Sequence, residues 1–156
     1  MEDLEKIITA AQGYSELGMH DDAIAELEAI DADAWDRPEV LEVRLLILMH
    51  ARRWKEALAA SRKLCKICPE SPSGFIHAAF CLHELGRTQD AKSMLVGGPP
   101  SLLKEPTYHY NLACYEARLG NFAEAHAHLE TSFGMDRKFR EFARNDSDLE
   151  PIRHLL

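Results

Sequence analysis

Cys65-Lys66-Ile67-Cys68 is the spacing most suggestive of chemistry in this 156-residue chain, because two thiols three positions apart can hold a zinc ion or exchange a disulfide. The pair is expected in the last turn of a helix, just before Pro69. There the negative end of the helix dipole disfavours the thiolate that either reaction needs. No second C-x-x-C and no histidine pair stands at the spacing that would complete a four-ligand site. Small packing residues are the simpler expectation for both cysteines. His77 and Cys81, four apart, share one helix face and make half a metal site, whereas His126 and His128, two apart, point to different sides. There is no phosphate-cradling glycine loop, no G-x-S-x-G elbow and no H-E-x-x-H pair. The expectation is a protein that is not an enzyme, with no catalytic residue, no metal and no cofactor.

Charge narrows the partners. The formal net charge is -8, which opposes binding to nucleic acid or to an anionic membrane surface. It is concentrated at one end: residues 1–37 carry eleven acidic side chains against Lys6 and Arg37 alone. A solvated helix face is the ordinary reading of such a block, and a docking edge for a basic partner is the alternative. The longest apolar run, Leu45 to Met49, is far short of the roughly 20 residues that cross a bilayer. The acidic start Met1-Glu2-Asp3 lacks the basic end of a signal peptide, so the chain is expected to be cytoplasmic, with its four cysteines reduced.

The elements that must position any site follow from an internal period. Ala23, Ala57, Ala91 and Ala125 stand 34 residues apart, and Pro38, Pro72 and Pro106 keep the same step. In the third unit Phe75, Ala78, Ala79, Leu82 and Leu85 recur at steps of three and four, one apolar stripe of a helix that Pro72 opens. Gly86 suits the left-handed residue that ends it, and Asp90 meets the positive end of the next helix dipole. Each unit is therefore a helical hairpin, its alanines marking where two helix axes approach closely.

These residues resemble the tetratricopeptide-repeat family. The fourth unit carries the resemblance best, in Tyr108-His109-Tyr110-Asn111-Leu112-Ala113-Cys114-Tyr115 followed by Leu119-Gly120-Asn121-Phe122-Ala123-Glu124-Ala125. The resemblance implies an all-α fold, a tetratricopeptide-repeat superhelix (α-solenoid) of four helical hairpins plus a C-terminal capping helix. It implies a single domain over 1–156, with repeats at about 4–37, 38–71, 72–105 and 106–139 and a cap at 137–156. Three departures stand out. Arg44 and Leu45 replace an apolar and a small residue, and Arg52 replaces the turn glycine, which predicts looser or repositioned packing in the second unit. Gly97-Gly98-Pro99-Pro100 must stop the third unit's outer helix early, with Leu102 and Leu103 refilling the space. Phe139, Phe142 and Ala143 are expected to cover the last apolar face of the stack.

In the implied fold the first helix of each hairpin lines a concave groove. The residues on the stripe beside each core stripe are Ile8 and Gln12, then Leu46 and Met49, then Ile76, Phe80 and His83, then Tyr110 and Cys114. Glu42, His50, His77, Asn111 and Arg118 edge the strip. Such a surface suits a protein or peptide with hydrophobic anchors, and Met49 adds adaptability. Clamping a peptide's terminal carboxylate is poorly provided for, since only Asn111 and Arg118 suit it. An adaptor or scaffold is the leading expectation. A narrower one is a small chaperone, because the acidic chaperones of type III secretion translocators are similar in size, stacked repeats and apolar groove. The alternatives are that the strip is covered by the chain's own end, or by a second copy in a homodimer.

Overall fold

Proline opens three helices where it costs nothing. Pro38, Pro72 and Pro106 each occupy the first turn, whose backbone N–H would have no partner inside the helix. The computed structural model describes residues 2–156, with side chains from Asp3 onward, and Met1 lies outside the described residues. The chain forms two compact units, Met1–Pro69 and Glu70–Leu156. The first holds α1 (Glu2–Glu16), α2 (His20–Glu28), α3 (Pro38–His50) and α4 (Trp54–Ile67). The second holds α5 (Pro72–Glu84), α6 (Thr88–Val96), α7 (Pro106–Arg118), α8 (Phe122–Met135) and the short α9 (Phe139–Arg144). Short 3-10 segments at Ala32–Ala34, Pro100–Lys104 and Ser147–Leu155 complete the described elements, which include no strand. No helix among them is long and apolar enough to cross a membrane.

The helices pair as α1–α2, α3–α4, α5–α6 and α7–α8, each pair joined by the same backbone device. The N–H groups of Met19, Arg53, Arg87 and Asn121 donate to the carbonyls of Tyr14, Leu48, Leu82 and Glu116 at 2.8–2.9 Å. These six-to-one bonds close the first helix of each pair. The geometry requires a left-handed residue just before the donor, and Gly18, Gly86 and Gly120 supply it with φ of 76°, 80° and 84°. In the second hairpin Arg52 takes that conformation, with φ of 59°. The missing glycine therefore leaves the turn intact and strains one residue.

The matched alanines are fully enclosed, as a close approach of paired helices requires. Ala23, Ala57, Ala91 and Ala125 are all 0% exposed, as are Ala78 and Ala79 on α5. In the first unit Leu41, Leu45, Ala60 and Leu64 form one core cluster, and Ala11, Leu27, Ile30, Val40 and Ile47 belong to another. Leu45, at 0% exposure, fills the place where a small residue was expected, and the Arg44 guanidinium lies 5.0 Å over the Trp35 ring. Packing there is repositioned rather than loose. Each fully buried leucine contributes about 1.5–3 kcal/mol of transfer free energy.

Two expectations about the second unit are met in part. The outer helix α6 does stop at Val96, and a Cβ on Gly98 would come within 2.4 Å of Leu102 and 3.2 Å of Phe75. Leu102 refills the space at 1% exposure, but Leu103 points outward and is 60% exposed. At the end of the chain Phe139 and Ala143 are buried while Phe142 is 56% exposed. Leu149 and Ile152 of the final 3-10 segment complete the apolar seal beside Phe139 and Ala143, at 0% and 1% exposure.

A left-handed arginine stores roughly 1–2 kcal/mol of strain, and glycine returns about half of that gain as chain entropy. Arg52→Gly is therefore expected to stabilise the protein by about 0.5–1 kcal/mol. A urea melt reads this directly, and an unchanged or lowered midpoint contradicts the assignment of strain.

Candidate functional site

The inner face of the second unit is built from α5 and α7, and the chain's own C-terminal segment lies on it. Asp146 opens that segment by accepting the Asp148 backbone N–H at 3.0 Å, a side-chain cap that starts the 3-10 turn. The other oxygen of Asp146 accepts the Tyr110 hydroxyl at 2.8 Å, with the Cys114 thiol at 3.6 Å. Asp148 accepts from His83 Nε2 at 2.9 Å and from Arg118 Nε at 2.6 Å. The His83 ring is itself held through Nδ1 against the Thr88 hydroxyl at 2.9 Å and packs 4.9 Å from the Tyr115 ring. A cavity of roughly 650 Å³ lies beside this contact, bordered by Phe80, His83, Thr88, Arg118 and Asp148.

Electrostatics follow from this crowding. Burial pushes the Tyr110 hydroxyl up, helped by Cys114 and by the Asp146 carboxylate. Burial likewise holds the Cys114 thiol well above its ordinary value, with Asp146 and Asp148 adding to the effect. For Asp148 burial acts upward, but the hydrogen bonds and charges of His83 and Arg118 outweigh it and leave the carboxyl below its usual range. Cys114, Asp146 and Asp148 could together offer three ligand atoms, all within 4.8 Å of one another. Their oxygens are already engaged, those of Asp148 by His83 and Arg118 and those of Asp146 by Tyr110 and the Asp148 N–H.

The sequence-derived strip distributes unevenly. His83, Tyr110, Cys114 and Arg118 converge on the C-terminal segment, and Tyr110 and Cys114 are buried. Ile76, Phe80 and Asn111 are half-buried. In the first unit Ile8 packs against one core cluster and Met49 against the other, Glu42 is half-buried and Gln12 is exposed. Leu46 is the apolar member most open to solvent, at 48%. Asp146 and Asp148 were missed because acidic residues near a chain's end read as a solvated cap. The available signal was the polar ends of Tyr110, Cys114 and His83 on an otherwise apolar face, each of which needs a partner when buried.

The C-x-x-C pair sits at the end of α4. Cys65 lies in the last turn of α4, Cys68 caps that helix and packs beside Leu41, Leu45 and Leu64, and all four cysteines are free. Both are half-buried rather than enclosed. Burial raises the Cys65 thiol to about 11, against the smaller lowering effects of a backbone hydrogen bond and of Arg62.

With paired helices, a left-handed residue at each turn and a buried alanine at each crossing, the fold is a tetratricopeptide-type helical repeat. Comparison with solved structures agrees. The chain is similar to the structure titled "MamA MSR-1 C2", with a TM-score of 0.68 and 22% identity over 85% of this chain and 76% of that one. It is similar to "MamA RS-1 ArsTM double mutant", with a TM-score of 0.74 and 12% identity over 86% of this chain and 76% of that one. A third, "MamA D159K mutant 1", gives a TM-score of 0.54 at 18% identity, over 87% of this chain and 100% of that one. At these identities the likeness is one of fold. No protein-family model matches the chain, and no curated protein matches it.

Two measurements follow. A carboxyl held below its free-chain value binds fewer protons in the folded state, so stability present at neutral pH is lost as pH falls through that value. The melting temperature is expected to fall below about pH 4, and Asp148→Asn is expected to lower it at neutral pH while flattening the acid limb. Superimposable acid profiles would contradict this. At pH 8 a thiol near 11 is ionised in roughly one molecule per thousand, so Cys65 is expected to alkylate with iodoacetamide roughly a hundredfold more slowly than free cysteine. Peptide mapping by mass spectrometry gives the rate, and labelling as fast as free cysteine contradicts the burial.

Proposed function

We propose that this protein is a non-enzymatic interaction module, an adaptor or scaffold that holds a protein or peptide with hydrophobic anchors on the inner helices of its hairpins. One observation carries the reading: α5 and α7 already hold a peptide segment, the chain's own residues 146–149, through side chains of the inner face. A face that seats the side chains of a short turn in this way supports a reading in which the same helices hold a peptide. In the first unit the corresponding helices α1 and α3 leave Gln12 and Leu46 open, and Leu46 presents an apolar anchor site. The partner-facing residues of this reading are Ile8, Gln12, Glu42, Leu46 and Met49 in the first unit, with Ile76, Phe80 and Asn111 in the second. His83, Tyr110, Cys114 and Arg118 serve first to seat the C-terminal segment. The acidic surface of residues 1–37 favours a partner that is basic around its apolar anchor.

A second reading is self-association, favoured by Phe142, which stands 56% exposed on the capping helix α9. A second copy that covers this ring would complete the apolar seal.

The test is affinity capture with the native host's lysate, identified by mass spectrometry, using the intact chain and its Leu46→Asp and Phe142→Asp variants. Leu46 is exposed, so the first variant is expected to keep its helical circular dichroism while losing its captured partner. Undiminished capture by Leu46→Asp would sink the groove reading. Light scattering at low micromolar concentration separates the alternative: a dimer that Phe142→Asp converts to monomer favours self-association.

A further inference from the structure

The opposite side of the C-terminal segment gathers positive charge around a small hollow. Phe133 of α8, Arg140 and Arg144 of α9, and Arg153 and Leu156 of the chain's end line a cavity of roughly 260 Å³. Arg140 and Arg144, four residues apart, share one face of α9, so both guanidiniums reach the same opening. The Arg140 guanidinium lies 4.8 Å over the Phe133 ring, which fixes its plane. Arg153 gives one guanidinium nitrogen to the Asp146 carbonyl at 2.7 Å, and its Nε is buried with no hydrogen-bond partner.

The missing element is a counter-charge. Arg53, Arg87 and Arg118 each hold a carboxylate, whereas among the described residues none of Arg140, Arg144 and Arg153 forms an ion pair. Three nearby aspartates are engaged elsewhere. Asp146 faces Tyr110 and Cys114, Asp148 faces His83 and Arg118, and Asp136 pairs with Lys138. Three arginines thus line one hollow without an ion pair of their own, and the buried Arg153 Nε lacks a partner, which is costly for a donor out of water. An anion with several oxygens would satisfy the donors and relieve the mutual repulsion. Guanidinium forks match phosphate geometry in particular, binding two oxygens at once. The cavity is smaller than the roughly 300–1,000 Å³ of drug-sized ligand sites, so the ligand is a single small group and not a nucleotide.

We propose that Arg140, Arg144 and Arg153 form an anion site for a dianionic phosphate group, with Phe133 as an apolar wall against whatever carries it. Free inorganic phosphate and a phosphate monoester share this chemistry. The site is independent of the partner-binding reading above, since it uses none of the strip residues.

The test is isothermal titration calorimetry at low ionic strength on the full chain, with inorganic phosphate and phenyl phosphate as ligands and sodium chloride of matched ionic strength as the baseline. Saturable binding of either phosphate beyond the chloride baseline is expected. Tighter binding of phenyl phosphate identifies a monoester as the ligand, and equal or tighter binding of inorganic phosphate identifies the free ion. Arg140→Gln and Arg144→Gln change exposed side chains, and each is expected to weaken binding about tenfold with helical circular dichroism unchanged. Arg137→Gln removes a nearby exposed charge that does not line the cavity and is expected to leave the affinity unaltered. Heats no larger than those of chloride would overturn the site. So would undiminished binding by both cavity variants, or an equal loss in Arg137→Gln, which would reduce the effect to diffuse surface charge.

Discussion

Everything in this fold depends on how closely two helices can approach within a hairpin. The second helix of each pair crosses the first at a residue with no side chain beyond Cβ, and Ala23, Ala57, Ala91 and Ala125 are completely buried there. A larger residue at such a position forces the axes apart or the rotamers off their minima, at a cost of about 1–3 kcal/mol. The turn that precedes each crossing is equally constrained, because the six-to-one hydrogen bond requires a left-handed residue at 18, 52, 86 and 120. Close approach and tight turn share one 34-residue register. The repeat is thus a geometric condition before it is a sequence pattern.

Different parts of the molecule were legible to different degrees for that reason. Conditions that recur are visible in a single sequence, so the alanines, the three opening prolines and the early stop of α6 all stand where the spacing predicts them. Substitutions at recurring positions were harder to weigh. Arg52 was expected to loosen or reposition its hairpin, and the backbone kept its shape with the cost falling on one φ angle. Leu103 and Phe142 were expected inside and lie outside, since helical spacing says which residues share a face but not which of two faces a short segment presents. Contacts that occur once leave no periodic trace. Nothing in the spacing joins His83 to Asp148, 65 residues later, or Tyr110 to Asp146, 36 residues later.

The C-terminal segment separates its charges by side. Its two aspartates turn toward the inner face of α5 and α7, where an imidazole, a phenol and a guanidinium receive them. Its arginine turns the other way, beside two arginines of α9. One short stretch, with three acids and one arginine, therefore contributes to two surfaces of different character. Between them Leu149 and Ile152 are sunk into the core, so neither surface is a loose tail lying on a finished domain.

That placement of Leu149 and Ile152 also orders events in time. Each hairpin closes through contacts between neighbours in sequence, which form quickly because little chain entropy is lost in bringing them together. The seal of the second unit cannot form this way, because its anchoring bonds span 30 to 65 residues. Tyr110 and Cys114 of α7 meet their Asp146 partner only once residue 146 has joined the chain. The seal of the second unit is therefore a late contact by construction, closed by residues that follow the helices they cover.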